Sequence, residues 1–157
     1  GIQANDLIGR KIVREAGTSM LGLISDMKED LAGAKAVDGE SLAAILLATR
    51  QSIDDLESAV DWILGSASND PDGISAGATA FLKLSGNAIC GWLMAKCAIE
   101  TQNLLDQRAT QSEILKGRML SARHFAETVL PQTTAALSTL RSGQPAIAAM
   151  SETMFGS

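Results

Sequence analysis

Tyrosine is absent from this sequence, and phenylalanine, tryptophan and proline each occur three times or fewer in 157 residues. With so few rings, the core must be aliphatic, built from Leu, Ile, Ala and Met. Pro71, Pro131 and Pro145 are the only prolines, so long stretches are free to be helical. There is one histidine, His124, which excludes any di-iron bundle, because that needs Glu-x-x-His pairs on two helices. The two cysteines, Cys90 and Cys97, lie seven residues apart. On one helix that is about 10.5 Å along the axis, beyond the roughly 7 Å between α-carbons that a disulfide allows. Two thiols so placed match no zinc motif either. They read as small core residues in a reducing, cytoplasmic setting. No apolar run approaches the roughly 20 residues that span a bilayer, so no membrane role is expected.

Hydrophobic residues, by contrast, make up 46% of the chain, enough for a sizeable single core. The net charge of −5 is concentrated. Residues 26–72 hold eleven acids, from Asp26 to Asp72, against Lys28, Lys35 and Arg50. Such a face repels phosphate backbones and anionic lipid, so nucleic acid is not an expected partner. In the bland reading it is simply the solvated side of helices.

Alanine and leucine dominate the spacing, and four long helical patterns emerge. The first spans about Thr18 to Ala36, with Met20, Leu21, Leu23, Ile24, Met27 and Leu31 as its stripe, between Gly17 and the Val37-Asp38-Gly39 break. In the second, Leu42, Leu46, Thr49, Ile53, Leu56, Val60 and Ile63 alternate steps of four and three, a heptad-type seam. Asp38 suits its N-cap, Gly65 begins its exit, and Asp54, Asp55, Glu57 and Asp61 take the remaining faces. Asp70-Pro71-Asp72 has the chemistry of a helix start, so a third helix runs from there to about Gln107. Its stripe is Ala78, Phe81, Ser85, Ala88, Trp92, Ala95 and Ile99, and Gly77, Gly86 and Gly91 should admit close neighbours.

Thr110-Gln111-Ser112-Glu113 has the form of a capping box for a fourth helix. Its apolar positions are Leu115, Met119, Ala122, Phe125, Ala126 and Val129. Pro131 should kink this helix rather than end it, because spacing resumes at Ala135, Leu137 and Leu140. After Ser142-Gly143, Pro145 opens a short final helix, Ala146 to Met150, and Met154-Phe155 could dock back as a latch. Long helices joined by short loops predict an all-α fold, an antiparallel up-and-down four-helix bundle with short terminal helices.

Chemistry is hard to find in this framework. His124 on a bundle evokes phosphotransfer, but Ser121-Ala122-Arg123-His124-Phe125 lacks the setting, and a surface histidine is the simpler reading. Trp62 and Trp92 suit core or interface packing better than a ligand pocket. Lys116 and Arg123 share one face and could meet an acidic neighbouring surface, the default being ion pairs with Glu113 and Glu127. No nucleophile with a base, phosphate loop or dinucleotide fingerprint is visible. The reading is therefore no catalytic, cofactor-binding or metal-binding residue in the chain.

Specific phrases add a family likeness. Gly1-Ile2-Gln3-Ala4-Asn5-Asp6-Leu7-Ile8-Gly9-Arg10-Lys11 resembles a segment near the end of the acyl-CoA dehydrogenase catalytic region, where it follows a Tyr-Glu-Gly-Thr run containing the catalytic Glu. Phe81-Leu82-Lys83-Leu84-Ser85-Gly86 with Gly91-Trp92-Leu93 resembles the C-terminal helical extension of one bacterial group of that family. So do Lys116, Ala122-Arg123-His124-Phe125, Val129-Leu130-Pro131 and the tail from Gln132 to Phe155; His124 stands where an aromatic is common. The group includes enzymes similar to 3-methylmercaptopropionyl-CoA dehydrogenase.

The resemblance implies that residues 1–17 are the tail of a catalytic region and residues 18–157 a C-terminal bundle, the chain beginning just after the catalytic base. It implies a parent enzyme that uses FAD to oxidise an acyl-CoA thioester to the 2,3-enoyl-CoA, with no cofactor in this fragment. The fragment itself should be inactive, with its own catalytic domains and homo-oligomer subunits as partners. An independent helical adaptor or ligand-binding bundle is the alternative expectation.

Overall fold

A computed structural model describes residues 1–34, 40–107 and 112–142. Among them the chain is all-helical, with no strand. The elements are α1 (Ile2–Asp6), a π-helical segment (Leu7–Val13), α2 (Thr18–Ala32), α3 (Glu40–Ser66), α4 (Pro71–Gln107), α5 (Glu113–Thr128) and α6 (Gln132–Arg141). One aliphatic core joins them all, with Ile12, Ile24, Met27, Leu56, Ile63, Phe81, Leu84 and Leu140 among its fully enclosed side chains.

The seam expected on the second helix is α3, and all seven of its positions are buried. Its acids divide. Asp54 and Asp61 face solvent and Glu57 is half-buried, but Asp55 is buried, which corrects its placement on an outer face. Asp55 falls between the buried Ser52 and the seam residue Leu56, where α6 lies against α3, and the hydroxyls of Thr133 and Thr134 compensate its lost hydration.

α4 starts where the sequence places it and is described as far as Gln107. Asp70 Oδ1 accepts the Gly73 N–H at 2.9 Å, the cap that Asp-Pro-Asp implies. Gly77 and Gly91 do admit close neighbours, since an added Cβ would lie 2.6 Å from a methyl of Leu140 and of Leu130, respectively. Gly86 does not: nothing stands within 4 Å of that position, which faces outward. Cys90 and Cys97 are both exposed free thiols rather than core residues. The inner arc of α4 is taken by Ala88, Gly91, Ala95 and Ala98, which leaves positions 90 and 97 on the outer one.

Contacts fix the direction of neighbours. Gly17 of the α2 entry meets Leu64 and Val60, Lys28 meets Asp54 and Glu57, and the Arg50 guanidinium donates to the Leu31 carbonyl at 3.1 Å. α2 and α3 therefore run oppositely. α4 likewise opposes α6, with Gly77 beside Leu140 and Gly91 beside Leu130. Gly17 itself turns the chain at φ 75, a left-handed conformation suited to glycine, and a Cβ there would strike Leu64 at 2.9 Å.

Three boundaries differ from expectation. α2 ends at Ala32 with Gly33 as its cap, four residues early; the Asp38 cap and the Val37-Asp38-Gly39 break lie outside the described residues. α5 begins at Glu113 after Ser112, so Glu113 is the first helical residue and turns to Lys116 rather than back to a cap; Thr110 and Gln111 lie outside the described residues. The Val129-Leu130-Pro131 turn separates α5 from α6, where the sequence predicted one kinked helix. Pro131 has no N–H to continue the ladder, and the Leu130 N–H reaches back five residues to the Phe125 carbonyl. That wider turn shifts the phase, so Ala136 is buried and Ala135 exposed. The helix expected at Ala146–Met150 and the Met154-Phe155 latch lie outside the described residues.

The sequence reading assigned no helix before Thr18, yet Ala4, Ile8 and Ile12 enter the core from α1 and the π-helical segment. Their spacing of four was the available signal. The i to i−5 bonds from Arg14 to Gly9 and from Gly17 to Ile12 widen the turn and keep residues four apart near one line.

Candidate functional site

The residues singled out for chemistry are scattered. His124 is exposed on α5, and its contact is a backbone one, the Thr128 hydroxyl donating to its carbonyl. Lys116 pairs with Glu113 at 2.8 Å and Arg123 with Glu127 at 2.7 Å, as the local spacing predicts. Glu127 holds the Arg123 guanidinium above its ordinary pKa. The guanidinium also donates to Ser41 Oγ at 3.1 Å, which ties α5 to α3. Trp62 and Trp92 both lean on the core, half-buried.

Trp92 has a second role. Its indole N–H donates to Asp30 Oδ2 at 3.1 Å, and Lys96 Nζ donates to the same oxygen at 2.7 Å while lying 4.9 Å from the ring centre. The hydrogen bond from Lys96 is the main reason that the Asp30 carboxyl titrates below its usual range, opposed by the cost of partial burial. This cluster clips α2 to α4. A second clip is Asp55, at 5% exposure. Its Oδ2 accepts from Thr133 Oγ1 at 2.7 Å and Thr134 Oγ1 at 2.8 Å, and its Oδ1 accepts from Gln51 at 3.1 Å. Both clusters join helices, and Lys96 of the first also lines a groove between α4 and α5.

That groove has a volume of about 710 Å³ and is walled by Met94, Lys96, Cys97, Glu100, Ile114 and Ser121. Arg118 stands at its rim and makes no ion pair among the described residues. The groove continues into the outer face of α4, where Leu82 and Leu93 are 40% and 49% exposed, and Ile114 on the facing helix is 72% exposed. Among the described residues no ion pair joins its Lys96, Glu100 and Arg118 to one another, and the Thr101 hydroxyl donates to the Cys97 carbonyl rather than to its thiol. Among the described residues no group of three His, Cys, Asp or Glu side chains could hold a metal ion. What the arrangement offers is a mostly apolar surface edged by Lys96, Glu100 and Arg118. The sequence reading missed this surface because it treated α4 as one stripe and left its other side unread.

Comparison with known proteins assigns the framework. Residues 23–151 match the family model described as acetyl-CoA dehydrogenase C-terminal like. Over 134 residues, 85% of this chain, it is 29% identical to 3-methylmercaptopropionyl-CoA dehydrogenase of Ruegeria pomeroyi, and it covers 22% of that protein. Over 141 residues it is 30% identical to the broad-specificity linear acyl-CoA dehydrogenase FadE5 of Mycobacterium tuberculosis, again spanning 85% of this chain and 23% of the relative. The chain thus spans between a fifth and a quarter of the relatives it matches. No helix among the described residues is long and apolar enough to cross a membrane. With the match covering α3 to α6 and most of α2, the chain belongs to the acetyl-CoA dehydrogenase C-terminal-like family, the helical C-terminal domain of acyl-CoA dehydrogenases.

Proposed function

We propose that residues 18–157 form a non-catalytic C-terminal bundle that packs on the catalytic region of a cytoplasmic acyl-CoA dehydrogenase and supports its assembly into a homo-oligomer, residues 1–17 being the tail of that catalytic region. The observation that carries the reading is the family match over residues 23–151. The pairwise helix directions support an antiparallel up-and-down four-helix bundle in which α5 and α6 together supply the fourth rod.

The parent would remove an α-proton from an acyl-CoA thioester and pass the β-hydride to FAD, the chemistry that the flavin supplies when bound. The described residues of this chain do not fit that cofactor. Gly86 and Gly91 lie inside α4, not in a strand-to-helix turn that cradles a pyrophosphate. The chain's own contribution is therefore to hold, orient and cover.

The test is the full-length product of the gene. It should carry flavin and oxidise acyl-CoA with an electron acceptor, while residues 18–157 alone should do neither. Flavin binding or acyl-CoA oxidation by residues 18–157 alone would overturn the non-catalytic reading. A flavin-free, inactive full-length protein would overturn the parentage.

A further inference from the structure

From Gly73 to Ala95, α4 carries a single charge, Lys83. Its inner arc carries Ala78, Phe81, Leu84, Ala88 and Ala95, all buried. Its outer arc carries Thr79, Leu82, Gly86, Cys90, Leu93 and Cys97, with Lys83 the one charge near it until Lys96 and Glu100. A helix that is hydrophobic all round is the pattern of one buried all round. Here half of it is uncovered, and the uncovered half merges with the α4–α5 groove. Gly86, with nothing within 4 Å, leaves a shallow notch in the middle of the strip where another backbone can approach.

Which body fits this face follows from its size and its charge. From Thr79 to Cys97 the strip is about 27 Å long and about 10 Å wide. That footprint falls well short of the roughly 800 Å² per partner of a stable interface between separate molecules. Two copies would also each bring a net charge of −5. A tethered body needs far less area, because a linked partner is present at an effective concentration of about millimolar. The relatives have more than three-quarters of their length beyond the segment this chain matches. The geometry points to the outer face of α4, with the α4–α5 groove, as the docking surface for the catalytic region of the same polypeptide. Apolar side chains of that region would cover Leu82, Leu93 and Ile114. This inference rests on the parentage proposed above and adds the face that carries the packing.

Cys90 and Cys97 are built-in reporters of that face. In the full-length protein their alkylation by a small maleimide is followed by peptide mass spectrometry, against a reference thiol introduced by Asp61→Cys on the exposed side of α3. Docking predicts that both native cysteines react at least about tenfold more slowly than the reference, as thiols needing local opening do. Gly86→Glu or Leu93→Glu should restore their rate with flavin still bound, and Leu120→Glu, elsewhere on α5, should not. Reaction of both cysteines at the reference rate overturns the proposal. Protection lost on dilution to monomer assigns the face to a second copy and overturns it too. Flavin content, read separately, reports on the parentage: flavin present with unprotected thiols sinks the docking surface alone.

Discussion

α3 and α4 are the two longest helices, adjacent in sequence and packed together, and they solve burial in opposite ways. α3 is mostly one-sided: its seam is enclosed, and its other side is largely Arg50, Gln51, Asp54 and Asp61, with Leu47 its single large exposed apolar residue. α4 buries as long a seam, but its far side is Leu82, Gly86, Cys90, Leu93 and Cys97. The first composition suits water and the second does not. The difference teaches where the domain ends physically. α3 presents charges to water, and α4 leaves Leu82 and Leu93 uncovered.

The largest expected effect separates the two sides of α4 at adjacent residues. Phe81→Ala should cost about 3–5 kcal/mol in urea denaturation of the chain, because its ring is fully enclosed. Leu82→Ala should change stability by less than about 0.5 kcal/mol in the same measurement. Equal losses would mean that the outer face is already covered, and the contrast with α3 would collapse.

Next comes the exception within α3. Asp55→Ala removes the acceptor for Thr133, Thr134 and Gln51 and should cost about 1–3 kcal/mol by urea denaturation. Asp54→Ala, one residue away and exposed beside Lys28, should cost less than about 0.5 kcal/mol. If the two behave alike, Asp55 is not the clip between α3 and α6.

The glycines of α4 give a difference in sign. A Cβ at Gly77 would lie 3.3 Å from both the Cα and the carbonyl of Leu140, and backbone cannot step aside as a side chain can. Gly77→Ala should therefore lower stability by about 1–3 kcal/mol by overpacking, less what helix propensity returns. Gly86→Ala meets nothing and should raise stability by about 0.5–1 kcal/mol. Melting temperatures that move in the same direction for both would remove the distinction between covered and open faces.

Much of this was legible beforehand, for physical reasons. A 4-3-4-3 alternation leaves a helix one way to bury itself, so the α3 seam could be read residue by residue. Asp70-Pro71-Asp72 marks a helix start by local chemistry alone. What escaped depended on partners distant in sequence. Asp55 looks like any surface acid until α6 brings Thr133 and Thr134 against it, and Cys90 and Cys97 look like core residues until Gly91 and Ala95 are seen to occupy the inner arc. The phase change after Phe125 came from one hydrogen bond of π type, which apolar periodicity across Pro131 could not reveal. The outer face of α4 was visible as letters, but its meaning needed the other face to be accounted for first.

The smallest effect concerns the clip that fastens the otherwise open side of α4 to α2. Lys96, and after it the Trp92 indole, hold the Asp30 carboxyl below the usual carboxylate value of about 3.9. A folded-state pKa below the unfolded one contributes stability that is present above the unfolded value and lost as pH falls through the folded value. Trp92 fluorescence, followed in a Trp62→Phe background, should therefore stay level down to about pH 4 and change only below it. Asp30→Asn should abolish that step while leaving the spectrum at neutral pH close to that of the unsubstituted chain, because the core packing of the ring is untouched. Added salt should weaken the step, since the pair is exposed. A midpoint at or above the ordinary carboxylate value would show that Lys96 does not hold Asp30, and that α4 is fastened to α2 by apolar packing alone.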